Sequence, residues 1–163
     1  HLGQQWLAPL KGSLFLMKFL LAAALAMGTL ALSGCTATVA LDPAPDANNP
    51  ACADVVVRLP DTIDTLAKRG TNSQSTAAWG EPTGVIFRCG LPAVSVSKLT
   101  CVTTSDIDWL VDDSNKPSYR FVTFARTPAI EVIVDSRKVS GVTALDELSS
   151  AIGHIPAVKR CLG

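Results

Sequence analysis

The sequence predicts an α+β domain: an antiparallel-rich sheet of five to six strands, with two helices on one face, stapled by two disulfide bonds. Three observations lead to this prediction. Segments with a strand pattern outnumber helical ones and mostly follow one another along the chain. Two segments carry helix signals, one through its start and stop residues and the other through apolar spacing and a cap. Four cysteines lie in the predicted domain, which covers residues 52–163.

An apolar segment precedes this domain and is typical of an export signal. Met17-Lys18 is followed by a run without charge over residues 19–32 and then by Ser33-Gly34-Cys35. A cationic start, an apolar middle and small residues before a cut are the three parts of a signal peptide. Residues 1–16 are interpreted as an upstream extension. The run is short for a membrane span, which needs about 20 residues.

The segment Leu32-Ser33-Gly34-Cys35 resembles a bacterial lipobox. The resemblance implies that residues 1–34 are removed, that Cys35 receives a diacylglycerol, and that its new amino group is acylated, for example with palmitate. Two or more acyl chains anchor a protein stably in a bilayer. We therefore expect a lipoprotein of the cell membrane, held on its extracytoplasmic face. A cleaved signal without lipid and a retained membrane helix are the alternatives.

Residues 35–51 are predicted to be the lipidated cysteine and a disordered tether. Thr36–Pro50 contains three prolines, two aspartates and two asparagines. Such a composition buries too little apolar surface to offset chain entropy. At roughly 5–6 Å × √n, a flexible segment of this length would hold the domain about 20 Å from the lipid.

Strands are predicted where β-branched or alternating segments lie between turn formers. The first contains three consecutive valines and is expected to be buried on both faces. Residues 112–117 are dense in turn formers, so the strands on either side are expected to pair as a hairpin. In order, the predicted strands are Ala53–Leu59, Gly84–Cys89, Val94–Thr103, Ile107–Val111, Tyr119–Ala125 and Ala129–Val134.

Two helices are predicted, one near each end of the domain. Asp61 and Gly70 are the start and stop signals of a short helix between them. Val142–Ile152 has leucine and isoleucine at helical spacing, and Thr143 with Asp146 resembles a capping box.

The four domain cysteines predict two disulfides, because an even count in an exported domain argues for a disulfide framework. Three pairings are possible. We favour Cys89–Cys101, which brackets a hairpin, and Cys52–Cys161, which joins the ends of the domain. A metal or redox site is disfavoured: there is no Cys-x-x-Cys pair, and His154 is the only histidine after the signal.

Short motifs run through the domain in a fixed order. After Cys52 come Arg58-Leu59-Pro60, Ala78–Pro82, Arg88-Cys89-Gly90, Cys101, Asp106–Trp109, Tyr119–Arg126, Ala129–Val132, a leucine-rich helix and Cys161. Over about residues 52–161 this order resembles an actinobacterial family of exported or membrane-anchored proteins, the domain of unknown function 3515. The resemblance implies one exported domain and no known activity. The chain departs from it at Ala125, where many relatives have glycine.

Several classes of function are disfavoured. The formal net charge is zero, without the clustered basic surface typical of nucleic-acid binding. Serine-hydrolase and phosphate-loop motifs are absent from the sequence. Asp106, Asp108, Asp112 and Asp113 cluster, but without the glycine and terminal glutamate of a calcium loop. They are interpreted as strand-end and turn residues, with a weak cation site as the alternative.

Four side chains form a candidate ligand patch: Trp79, Arg88, Arg120 and Arg126. Arg120 and Arg126 are six residues apart, so they would share one face of a regular strand. Guanidinium groups can grip a carboxylate or phosphate with two hydrogen bonds. Core packing is the alternative for Trp79. For the arginines the alternatives are scattered solubilising charges, protection of strand edges, or pairing of one of them with Glu131 on the next strand.

The sequence therefore predicts a lipid-anchored, non-enzymatic binding or interaction module of the cell envelope, with no cofactor and no nucleic-acid partner. Its partner beyond the membrane is not identified. One alternative is an envelope enzyme with a carboxylate–arginine site formed by Asp106, Asp108, Arg120 and Arg126. A structural or assembly accessory is the other.

Overall fold

The computed structural model describes residues 37–161, so the predicted signal and the lipidation residue Cys35 lie outside the described part. Within it, no helix is long and apolar enough to cross a bilayer. The helices are α1 (Pro50–Val56) and α2 (Gly141–Ile152). The strands are β1 (Thr62–Ile63), β2 (Leu66–Arg69), β3 (Thr76–Trp79), β4 (Val85–Leu91), β5 (Thr100–Thr104), β6 (Ile107–Asp112), β7 (Ser118–Thr123) and β8 (Ala129–Asp135).

The eight strands form one sheet in the order β1-β2-β3-β4-β8-β7-β6-β5, and every neighbouring pair is antiparallel. The prediction of five to six strands is therefore wrong. The additional strands β1, β2 and β3 come from short segments without the alternation that marks a strand. Their pairing with neighbours, rather than their own pattern, makes them strands.

One face of the sheet, here called the inner face, carries the hydrophobic core and both helices. Side chains of the central strands β4 and β8 point into it, including Phe87 and Val132. Helix α1 adds Cys52 and Val55, while α2 contributes the apolar stripe Ala144, Leu145, Leu148, Ala151 and Ile152. The opposite, outer face carries the alternate residues of each strand.

The sheet curves around helix α2. The hydroxyl of Ser105, in the turn between β5 and β6, donates to the carboxylate of Asp146. The backbone N–H of Asp64, in the turn between β1 and β2, donates to the carboxylate of Glu147 at 3.0 Å. Because Asp146 and Glu147 are adjacent on α2, turns from both ends of the strand order reach the same helix.

The predicted strand over Ala53–Leu59 is wrong, because residues 53–56 form the last part of helix α1. The side chain of Asn49 caps the helix by accepting from the N–H of Ala51 at 3.0 Å, and Pro50 occupies the first turn. Both features favour a helix start. They outweigh the β preference of the three valines, and Val57 ends up exposed rather than buried.

The predicted helix between Asp61 and Gly70 is also wrong. This segment forms the hairpin of β1 and β2. Asp64 lies in its turn with φ 51°, a left-handed conformation that aspartate tolerates better than most residues. The tight turn lets Ile63 enter the core, whereas Ala67 stays exposed.

The predictions were better in the second half of the domain. The hairpin of β6 and β7 and the strands β4 and β8 are confirmed. Only the end of Val94–Thr103 became a strand, β5. Helix α2 is confirmed, but its cap is Ser140, whose hydroxyl oxygen accepts from the N–H of Thr143 at 3.0 Å. Thr143 therefore occupies the first turn instead of preceding it.

The segment over residues 37–49, here called the strap, is packed against the domain, which contradicts the predicted disorder. Nη2 of Arg69 donates to the carbonyl of Ala37 at 2.6 Å, and the N–H of Val39 donates to the carbonyl of Gly70 at 2.9 Å. Further along, Ala44 and Ala47 are buried. The strap has no hydrophobic core of its own, and its contacts with β2 and the following turn keep it ordered.

Gly90 allows the strap to approach strand β4 closely. Its φ is +111°, and a Cβ at this position would lie 2.5 Å from the backbone of Asp46. The N–H of Asp46 donates to the carbonyl of Gly90 at 3.0 Å. This position therefore requires glycine, which gives the motif Arg88-Cys89-Gly90 a structural reason.

The four domain cysteines form two disulfides, as predicted, but the favoured pairing is wrong. The bonds are Cys52–Cys89 and Cys101–Cys161. Cys52–Cys89 joins α1 to the central strand β4, because helix α1 lies on the inner face beneath it. Cys101–Cys161 fastens the C-terminal segment to β5. Sequence spacing could not choose between the pairings because the chain folds back across the sheet.

Candidate functional site

Two arginines of the predicted ligand patch meet on the outer face, where they share one carboxylate. Glu131 of β8 is only 3% exposed. Nε and Nη2 of Arg88 lie 2.8 and 2.7 Å from Glu131 Oε2, and Nε of Arg120 donates to Oε1. The strand order places β8 between β4 and β7, so the carboxylate neutralises much of the charge that a ligand would have met.

The other two members of the patch lie elsewhere. Trp79 is buried in the core on the inner face, and its indole N–H donates to the carbonyl of Pro60 at 3.0 Å. Arg126 is buried beyond the end of β7 and donates to the carbonyl of Ile155. The chain turns at Ala125, which has φ 54°, so Arg120 and Arg126 do not share a regular strand. The four side chains therefore do not form one patch.

Asp108 fastens the C-terminal segment to the sheet. It accepts from the hydroxyl of Thr103 at 2.6 Å and from the backbone N–H of Cys161 at 2.8 Å, and Nε of Arg160 lies 3.1 Å away. Burial by itself raises the pKa of Asp108, but these hydrogen bonds and the charges of Arg160 and Arg126 outweigh it and lower the pKa. Asp108 is thus held ionised in a structural role.

The remaining acidic residues of the cluster have separate roles. Asp106 lies in the β5–β6 turn with φ 62°. Asp112 accepts from the N–H of Ser114 at 3.0 Å, and hydrogen bonding with the side chain and then the N–H of Ser114 lowers the pKa of Asp112. Asp113 pairs with Lys116 at 2.6 Å. Asp112 and Asp113 thus take the turn roles predicted for them.

The carboxylates and arginines of the predicted enzymatic site have unrelated partners. Asp108 binds the C-terminal segment, while Arg120 binds Glu131 and Arg126 binds a backbone carbonyl. Across residues 37–161, no three His, Cys, Asp or Glu side chains are grouped as metal ligands. His154 is exposed just after α2.

The surface best suited to binding lies at strand β5, the last strand of the sheet. β5 pairs with β6 on one side, and none of its backbone groups bonds any other strand in the described part of the chain. Its sequence, Thr-Cys-Val-Thr-Thr, has no charge and no proline. Natural edge strands are usually blunted by such residues or covered. β5 is an unprotected edge.

An apolar groove borders β5 on the inner face. It lies between the sheet and the start of α2, with a cavity volume of about 480 Å³. A Cβ at Gly141 would lie 2.9 Å from the ring of Phe121, so the helix begins in direct contact with the aromatic floor. The apolar lining consists of Val102, Val111, Tyr119, Phe121, Val142 and Leu145.

A second groove borders β5 on the outer face, with a cavity volume of about 660 Å³. One wall is the segment before β5, and the other is the C-terminal segment fixed by the Cys101–Cys161 bond. Val96 on the first wall is 85% exposed. The lining includes Val96, Leu99, Leu110, Phe124, Lys159 and Arg160.

The rim of the outer groove is cationic. Nζ of Lys159 lies 5.5 Å from the ring centroid of Phe124 and makes no ion pair within residues 37–161. Arg160 is paired with Asp108, yet its side chain is about half exposed. The described lining of the inner groove has no charged residue, and its hydroxyl groups include those of Ser136 and Ser140.

Sequence reasoning missed this surface. The uncharged run Thr100–Thr104 was a possible signal, because edge strands usually carry a lysine or proline. Which strand lies at the edge, however, depends on the strand order.

A model of the family described as "Protein of unknown function (DUF3515)" matches residues 13–160. The match extends over nearly the whole described domain and reaches upstream beyond it. No curated protein and no solved structure matches the chain.

Proposed function

This chain belongs to the protein family of unknown function DUF3515, and from its own residues we propose that it is a lipid-anchored binding module of the bacterial cell envelope. The anchor is a diacylglycerol on Cys35, and the binding surface is the open β5 edge with its two grooves. The resemblance described above supports an actinobacterial envelope. The role is non-enzymatic.

The observation that carries the proposal is the pair of apolar grooves on the two faces of one unprotected strand. Concave sites of a few hundred Å³ with a mainly apolar lining are the usual form of a binding site. The carboxylates and arginines, by contrast, are engaged in contacts that stabilise the fold.

Two further observations support the anchor. The family match begins at residue 13 and so includes the segment Leu32–Cys35. Two disulfides suit an oxidising compartment, because they persist outside the cytosol.

The strap changes how the anchored domain would lie. Only Thr36 separates Cys35 from Ala37, which is bonded to Arg69. Two residues of chain span at most about 7 Å. A lipid on Cys35 therefore holds the β2 end of the domain at the bilayer surface, instead of on a tether of about 20 Å.

The anchor is tested by expressing residues 1–163 in a bacterium with a lipoprotein pathway. We expect mass spectrometry to find a diacylglyceryl Cys35 at the mature N-terminus and the protein to remain in the membrane fraction. Cys35→Ser should abolish both. Native protein with a free Cys35 thiol, or released into the soluble fraction, would refute the anchor.

A further inference from the structure

Resting on the binding role proposed above, we infer that the β5 edge binds an extended polypeptide segment by strand addition. The bound segment places apolar side chains in both grooves and an acidic side chain beside Lys159. The partner is thus defined by backbone conformation, by apolar alternation and by charge.

The backbone of β5 has hydrogen-bonding groups on the side that does not face β6. In a strand paired on one side, alternate N–H and C=O groups point away from the partner strand. The five residues of β5 present such a row over about 17 Å. An extended peptide satisfies these groups by pairing with them, which is the general basis of strand addition.

The two grooves lie on opposite faces of β5. Val102 borders the inner groove and Cys101 borders the outer one, because neighbouring residues of a strand face opposite sides. A strand added beside β5 has the same alternation. Its odd residues therefore enter one groove and its even residues the other, so both grooves are used by one ligand.

The positive charge beside β5 lies at the outer groove. Lys159 is exposed and without a carboxylate partner among the described residues, and the half-exposed side chain of Arg160 lines the same groove. An acidic residue on the outer side of the added strand meets these cations. On the inner side the hydroxyls of Ser136 and Ser140 carry no charge, so selection by charge is confined to the outer face.

A second copy of this chain fits less well. Pairing β5 with itself would offer the grooves only threonine, valine and a disulfide-bonded cysteine. These small side chains fill little of cavities of about 480 and 660 Å³. Large apolar side chains are needed, and β5 has none.

The test uses the full chain purified in detergent micelles and a fluorescent nine-residue peptide with large apolar side chains on both faces, acetyl-Thr-Glu-Phe-Leu-Phe-Glu-Phe-Leu-Thr-amide. Binding is measured by fluorescence anisotropy. We expect saturable binding that weakens at least tenfold when both glutamates of the peptide are replaced by lysine. Absence of saturable binding, or equal affinity for the two peptides, overturns the proposal.

Backbone pairing is tested with two further peptides, N-methylated at every second residue in the two alternate registers. Only one register blocks the N–H groups that face β5. We expect one peptide to lose at least tenfold in affinity and the other to keep most of it. Equal affinity of both with the parent peptide overturns strand addition.

Three variants locate the site. Val102→Lys places a charge in the inner groove and should weaken binding at least tenfold, while Lys159→Glu should remove the preference for the acidic peptide. Val57→Lys is the matched control, because Val57 is an exposed valine outside both grooves. Circular dichroism melts establish that each variant is folded. Unchanged binding by folded Val102→Lys overturns the assignment to β5.

Two results distinguish a failure of strand addition from a failure of the proposed anchor or of the proposed binding role. Cys35→Ser should bind the peptide as the parent does, so a failed anchor leaves this assay unaffected. A dimer in analytical ultracentrifugation that Val102→Lys dissociates, together with no peptide binding, would identify a second copy as the occupant. That outcome overturns strand addition by a foreign segment while the β5 edge keeps its binding role.

Discussion

The two edges of the sheet, β1 and β5, are built differently. β1 has only two residues, Thr62 and Ile63, and is preceded by Pro60 and Asp61. β5 has five residues without charge or proline, and a groove lies on each side of it. Short, charged edges resist pairing with other chains, whereas long uncharged edges invite it. The comparison points to β5 as the functional edge.

The edges are also held in place by different forces. The turn beside each edge reaches helix α2 through a surface hydrogen bond, from Asp64 to Glu147 at β1 and from Ser105 to Asp146 at β5, and β5 has two further fastenings. β5 is fastened by the disulfide Cys101–Cys161 and by the buried carboxylate of Asp108. An open edge lacks a second strand to support it, and these two fastenings compensate. Substitutions should therefore be more damaging around β5 than around β1.

The largest effect is expected from removing the disulfide at β5. Its cysteines are 60 residues apart, and the chain-entropy model gives about 4 kcal/mol for such a loop. We expect the double variant Cys101→Ala/Cys161→Ala to lose about that much free energy of unfolding in urea, and to lose peptide binding. Cys52→Ala/Cys89→Ala should cost a similar amount but spare binding by the folded fraction. A loss below about 1 kcal/mol at β5 would contradict the role given to this bond.

A smaller effect is expected from Asp108→Ala. The buried carboxylate accepts hydrogen bonds from Thr103 and Cys161 and forms an ion pair with Arg160. Its removal leaves these donors without a partner. Because Arg160 is half exposed, we expect a loss of about 2 kcal/mol rather than the 3–5 of a fully buried pair. The control at the other edge is Asp61→Ala, an exposed residue, which should cost less than about 0.5 kcal/mol. Equal losses would remove the distinction between the edges.

The same carboxylate makes the stability of the β5 side depend on pH. The pKa of Asp108 is lower in the folded chain than its usual value. Its contribution is therefore complete above about pH 4 and is lost as the pH falls from there through the lowered pKa. We expect the difference in unfolding free energy between the parent and Asp108→Asn to shrink below about pH 4. A difference that grows in acid would reverse the sign of the assigned pKa.

The smallest effect is expected where backbone conformation differs between the two sides. Ala125, beside the outer groove, and Asp64, in the β1 turn, both have positive φ, 54° and 51°. Alanine is strained there, whereas aspartate is tolerated. We expect Ala125→Gly to raise the free energy of unfolding by no more than about 1 kcal/mol, because the larger entropy that glycine loses on folding offsets part of the relieved strain. Asp64→Gly should give no gain, and thermal melts would reveal any contrary order.

The sequence predicted parts of the fold that depend on neighbours along the chain. The turn at residues 112–117 and its two flanking strands were found because a hairpin is a local structure. Helix α2 was found because its apolar spacing and polar cap are both local. The region before Thr76 was predicted wrongly. The cap Asn49 and Pro50 start helix α1, whereas β1 and β2 form because they pair with neighbouring strands.

The candidate site was predicted less well. Arg88 and Arg120 were correctly assigned to strands, and pairing of one arginine with Glu131 was foreseen, but only the strand order shows that both meet on it. Trp79 was interpreted either as core or as a ligand platform, and the core interpretation is confirmed, because its strand faces the helices. The departure at Ala125 was visible in the sequence, whereas its physical meaning required the positive φ.

The sequence by itself determined the family, the presence of two disulfides and the local elements of the second half. Tertiary structure alone decided the order of the strands, the partners of the cysteines and the packing of the strap. The physical reason is that a hydrophobic pattern specifies which side chains leave water, but not which strand lies beside them. The open edge at β5 exists only because β4 pairs with β8 across the middle of the sheet.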